Sequence, residues 1–115
     1  MSRRLIVAIT GASGAAFGTR LLTHLKADTI VAFFGYNEAF DGSARVANYE
    51  AELDAWVQHT LSKAYNGKTA PRVVLVSPIA FENQSAKRDL PDGHAINVNL
   101  QLYSEAMGRV AKKHG

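Results

Sequence analysis

A chain of 115 residues, 47% of them hydrophobic, is long enough for one domain with a core and too short for two. It contains no cysteine, which excludes disulfides, thiolate metal sites and cysteine nucleophiles and suits a reducing, cytoplasmic setting. The net charge of +3 is scattered over Arg3, Arg4, Lys87, Arg88, Lys112 and Lys113 without interleaved aromatics, which argues against a nucleic-acid partner, and the short apolar runs fall far below a membrane span.

The apolar run at 5–9 predicts a first strand, and Thr10, Gly11, Ala12, Ser13 and Gly14 follow it directly. Small residues at a strand-to-helix corner leave backbone amides open at a helix N-terminus, where a small anion or phosphate binds naturally. Thr10 and Ser13 would add hydroxyl donors. Three uses stay open: an anion cradle, a corner presenting Ser13 as a nucleophile, or tight packing alone. Phe17, Leu21 and Leu25, with Leu22 beside them, predict a helix over 14–25. A second strand follows at 29–34. The stripe Val46, Tyr49, Leu53, Val57 and Leu61 predicts a helix over 44–64, stopped by Asn66 and Gly67. A third strand is expected at 73–76, and the aperiodic stretch 81–96, with Pro91, Asp92 and Gly93, reads as a long loop. Leu100, Tyr103, Met107 and Val110 then carry a helix over 97–112.

The order βαβαβα is the pattern of a doubly wound α/β sheet, and strands this continuously apolar are expected to be parallel and covered on both faces. With strand order 1-2-3, right-handed crossovers would put both connecting helices on one face and leave the other bare. The sequence therefore predicts either order 2-1-3 or a second copy over the open face. Two unprotected edges on so small a sheet add to the expectation of a homo-oligomer, a dimer in the first instance and one that exchange of elements could form.

The string from Arg4 to Leu22, with Thr10-Gly-Ala-Ser-Gly at its centre, resembles the opening of the flavin prenyltransferase family, flavoproteins that bind FMN. The resemblance implies that Gly11, Ala12, Ser13 and Gly14 contact the FMN phosphate. It covers about the first 25 residues, and the family's serine-rich second loop and basic C-terminal positions are missing, so prenyl transfer is not expected.

From Lys26 onward the chain resembles the middle of an SGNH/GDSL hydrolase instead. The phrases that carry this are residues 26–40, 65–68 and 72–83. In that family the asparagine of a Gly-x-Asn block donates to the oxyanion, which by resemblance falls on Asn37, with Gly35 before it. An asparagine at a strand end can aim its amide at developing charge, or merely cap a turn. The family's second glycine block and its Asp-x-x-His have no counterpart. Ser13 stands where the nucleophile would, within reach of Asn37 only if the first two strands are neighbours. A serine without a base is a poor nucleophile. Of His24, His59, His94 and His114, only His94, near Asp92 in the long loop, could approach it, and no spacing of histidines and carboxylates suggests a metal site.

Both families are flavodoxin-like in architecture, so the resemblances together imply a Rossmann-like, three-layer α/β fragment with a seam at 24–28. The whole reads as a recombined or engineered scaffold without a complete active site, retaining FMN-phosphate or anion binding at the first corner, with weak ester hydrolysis by Ser13 and Asn37 as the alternative.

Overall fold

The computed structural model describes residues 5–10 and 15–115. Its regular elements run β1 (Ile6–Thr10), α1 (Ala15–Leu25), β2 (Thr29–Phe33), two short 3-10 turns (Glu38–Asp41 and Ser43–Arg45), α2 (Val46–Leu61), β3 (Arg72–Leu75) and α3 (His94–His114). Each expected strand is present within a residue or so. The helices differ more. Helix α2 stops at Leu61, and Asn66 with Gly67 instead forms a separate turn, in which Asn66 Oδ1 accepts the amides of Lys68 and Thr69. Helix α3 starts three residues earlier than its apolar stripe, because the left-handed Gly93 and the carboxylate of Asp92, which accepts the His94 amide at 3.0 Å, begin it there.

All three strands are parallel in the order β1-β2-β3. The alternative order 2-1-3 is therefore set aside. Pairing aligns Val7, Ile30 and Val73 in one row and Ile9, Ala32 and Leu75 in another. These rows face the helices, and Ile9, Ile30 and Ala32 are buried in one core with Leu22 of α1, Tyr49, Leu53 and Val57 of α2, and Leu100, Tyr103, Met107 and Val110 of α3. Helix α3 packs on α2 and on the first 3-10 turn rather than against the far side of the sheet. Among the described residues the strands of this chain are covered on one face only, as expected for the order 1-2-3, and the sheet is small and open. Right-handed crossovers between strands in sequential order leave no other outcome.

Helix α1 differs from its sequence stripe in the same way. Leu22 is fully buried, while Leu21 and Leu25 remain about half and 39% exposed. The helix packs beside β1, an edge strand, and of its described side chains Leu22 meets the core, while the side chain of Phe17 lies outside the described residues. It ends in a Schellman arrangement: the Ala27 amide donates to the Leu22 carbonyl, the Lys26 amide to that of Thr23, and Leu22 and Ala27 are buried together. Lys26 occupies the left-handed position of this cap, at φ 54°, where glycine is usual. Asp28 then clasps the amino edge of the sheet, accepting the Leu5 amide through Oδ2 at 3.0 Å and the Asn66 side-chain amide through Oδ1 at 2.8 Å.

Ion pairs join α2 to α3 along their exposed side. Arg109 donates twice to Glu50, at 2.9 and 2.8 Å, and Asp54 takes Lys113 Nζ at 2.7 Å and His114 Nε2 at 2.5 Å. They border a groove floored by Ala47, Ala51 and Val110.

Two predictions follow from these contacts. Replacing Lys26 by Gly removes a left-handed side chain and should stabilise the fold by about 0.5–1 kcal/mol, read from urea denaturation. The hydrogen bonds from Arg109 hold Glu50 below its ordinary pKa, and those from Lys113 and His114 do the same for Asp54. A carboxyl depressed in the folded state adds stability above its unfolded pKa, about 4, and loses it as pH falls through the lower folded value. The melting temperature should therefore drop more between about pH 5 and pH 2.5 in the wild type than in the Glu50→Gln, Asp54→Asn double variant.

Candidate functional site

In a parallel sheet every strand ends at the same edge, and ligands of open α/β folds bind beyond that edge. Here the carboxyl edge is formed by Thr10, Phe33 and Leu75, with Thr10 directly opposite Phe33. The first two strands are neighbours, so the end of β1 and the start of the turn after β2 lie side by side. Thr10 closes β1. Gly11, Ala12, Ser13 and Gly14 lie outside the described residues.

The turn after β2 is built by its own residues. Gly35 has φ 106°, and a Cβ there would lie 2.8 Å from the Tyr49 hydroxyl oxygen, so the position requires glycine on both counts. Its amide donates to Glu38 Oε2 at 2.9 Å, and its carbonyl accepts the Ala39 amide at 3.0 Å. This reciprocal pair is a capping box around the short turn. Asn37 follows in helical conformation, is exposed, and makes no side-chain cap bond. The turn-capping role open to Asn37 is thus performed by Glu38, and the Asn37 amide is left at the carboxyl edge. Tyr36 and Phe40 meet edge-on across the turn, their centroids 5.6 Å apart.

Behind the turn stand two tyrosines with opposite polar accounts. The Tyr103 hydroxyl donates to the Gly42 carbonyl at 2.9 Å, tying α3 to the segment between the two 3-10 turns. The Tyr49 hydroxyl is buried beside Gly35 and has no hydrogen-bond partner among the described residues. Burial, the Glu38 charge and Tyr103 all push its pKa up, so it stays a protonated donor. The two rings are 4.9 Å apart.

Two of the histidines lie away from this edge. His24 and His59 are exposed in the last turns of α1 and α2, which lead back to the amino edge. His114 pairs with Asp54. His94, the one candidate partner for Ser13, is exposed at the start of α3. Among the described residues, no three histidine or carboxylate side chains converge as a metal-ion site.

Three contributors to this region escaped the sequence reading. Glu38 was legible as the fourth member of Gly35-x-x-Glu38, a capping-box spacing. Tyr49 read only as a core residue. Asn97 pins the long loop, donating to the Phe81 carbonyl at 3.0 Å and accepting the Phe81 amide at 2.7 Å, a long-range pairing that leaves no local pattern. Gly93 completes that contact, since a Cβ there would strike the Phe81 ring.

Comparison with family models, with curated proteins and with solved structures finds no match for the chain.

The unlike tyrosines give a paired expectation. Tyr103→Phe breaks a satisfied bond and should cost about 1 kcal/mol, whereas Tyr49→Phe removes an unpaired buried hydroxyl and should be neutral or stabilising, both read from urea denaturation.

Proposed function

We propose that this chain is a non-catalytic, self-associating α/β module that binds a phosphate-bearing ligand, FMN first among them, at the corner formed by Gly11, Ala12, Ser13 and Gly14, with Thr10 as a further donor. The reading extends to its architecture, a flavodoxin-like fragment completed by a second copy, and to its origin, a recombined or engineered chain whose first unit resembles flavin prenyltransferases and whose remainder resembles an SGNH hydrolase. Lack of cysteine suits a cytoplasmic setting. Among the described residues, no helix is long and apolar enough to cross a membrane.

The observation that carries the binding reading is the parallel pairing of β1 with β2. It brings the end of β1 to the ligand-binding edge of the sheet, one strand from the turn bearing Asn37, and α1 begins at Ala15 immediately beyond the corner. Helix N-termini carry unpaired amides and a partial positive charge suited to phosphate. A single corner supports only modest affinity, a dissociation constant of about 0.1–1 mM.

The same adjacency favours a second reading, a weak esterase in which Ser13 attacks and Asn37 donates to the oxyanion. It meets the neighbouring-strand condition but lacks a base among the described residues, and an unactivated serine is a poor nucleophile.

Calorimetric titration with FMN and with inorganic phosphate tests the first reading. Saturable binding of both, weakened at least fivefold by Gly14→Asp in a protein that keeps its circular dichroism, is expected; no binding at about 5 mM ligand would refute it. Hydrolysis of an aryl acetate, abolished by Ser13→Ala, would favour the esterase instead.

A further inference from the structure

The face of the sheet turned away from the helices is apolar and uncovered. Its rows are Ile6, Thr29 and Arg72, then Ala8, Val31 and Val74, then Phe33 beside the end of β1. Ile6 is 64% exposed, Phe33 43% and Val74 40%. Among the described residues of these rows only Arg72, at the amino end of the edge strand β3, carries a charge. Strands rich in Ile and Val on both faces are the pattern of parallel sheets buried on both sides, yet among the described residues no element packs here. A face of three strands and five residues spans roughly 14 by 17 Å at standard strand spacing and rise. The size of that face, about 240 Å², is ordinary for a monomer's surface patch; its distinction is that it is the unpaired side of a parallel sheet.

The molecule's surface shows how much cover is missing. A compact monomer of 12.4 kDa would expose roughly 6,100 Å², whereas this chain exposes 7892 Å². Its radius of gyration is 16.1 Å, against about 13–14 Å for a compact domain of this length. The surplus of roughly 1,800 Å² is spread over the whole molecule, and the open face needs to supply only part of it to reach the 800 Å² or so that each partner gives to a standard interface. The sheet face supplies the centre of such an interface, with Ile6, Phe33 and Val74 as its most exposed large side chains.

We infer that a second copy of this chain covers the open face, the two sheets stacking face to face about 10 Å apart around a two-fold axis that runs midway between them, directly over Val31. This rests on the self-association reading above and names the surface that performs it. An almost uncharged face is matched by another almost uncharged face, and its own copy offers one of identical extent. A two-fold contact also uses the patch on both molecules at once, leaving none to propagate. Because the axis passes over the central strand, Val31 meets Val31 of the second copy whichever way the outer strands align.

Sedimentation velocity of the full chain tests this. The wild type should be dimeric at about 10 µM, in the range expected of an interface this size. Val31→Lys and Val31→Glu should each raise the dimer dissociation constant at least tenfold by setting like charges against each other. An equimolar mixture of the two should regain the dimer, because the charges then oppose. Circular dichroism checks folding, and if either variant unfolds the same pair is made at the more exposed Val74, where each charge alone should weaken the dimer to a similar degree. A wild type that stays monomeric up to about 200 µM overturns both the inference and the self-association reading, leaving the face to a different partner. A dimer indifferent to folded charged variants overturns the face assignment alone.

Discussion

Parallel pairing of three strands in sequential order is the constraint from which most of this molecule follows. Each crossover between adjacent parallel strands must be right-handed, so α1 and α2 are delivered to the same side of the sheet. Helix α3 then finds its apolar partner on α2 and on the first 3-10 turn instead of on the opposite face. The core is consequently continuous but one-sided, running from Leu22 through Ile30 and Ala32 to Leu53, Tyr103 and Val110. The same geometry aligns all three strand ends at one edge, so that the chemistry-bearing turns gather there while both faces of the strands carry apolar side chains.

Much of this was legible in the sequence because it is local. Strands appear where β-branched runs appear, and the stripes on α2 and α3 name most of their buried residues, missing Thr60 and Ala106 and including the partly buried Val46 and Leu61, since a 3.6-residue period fixes which side chains share a face. What escaped depends on long-range partners. The stripe on α1 included Leu21 and Leu25, but how much of a helix is buried depends on how many strands lie beneath it, and α1 packs beside one edge strand. Strand order is equally invisible: the apolar runs are the same in either arrangement, and only the packing of the crossovers decides. Asn66 and Gly67 carried a true turn signal, but they form a turn four residues beyond the helix they were expected to end, where Asn66 also reaches Asp28.

The candidate site was legible in its parts and not in its relations. Gly35 and Asn37 stood out by type, and the pairing of β1 with β2 supplies the adjacency that made Asn37 relevant to the first corner. Their division of labour needed the folded chain. Glu38 performs the capping, which leaves Asn37 exposed, and Gly35 is required as much by the Tyr49 hydroxyl behind it as by its own positive φ. A catalytic reading needs a base as well, and the fold sends His24 and His59 to helix ends that return to the amino edge.

The end of α1 near residue 26 ties these points together. A Schellman cap with Lys26 in the left-handed position is a local conflict between residue and backbone, held in place by the shared burial of Leu22 and Ala27 and by Asp28 clasping Leu5 and Asn66. Those three contacts link the first strand and helix to everything that follows, across the point where the sequence changes character. They secure β1 at its amino end, far from the corner that follows Thr10. An anion bound at that corner would draw on α1 and on the turn after β2 at once, fastening the carboxyl end of β1 as the clasp fastens its beginning. Because β1 is an edge strand with one face uncovered, such a ligand would do for its far end what a second copy would do for its open face: replace neighbours that three strands in sequential order cannot provide.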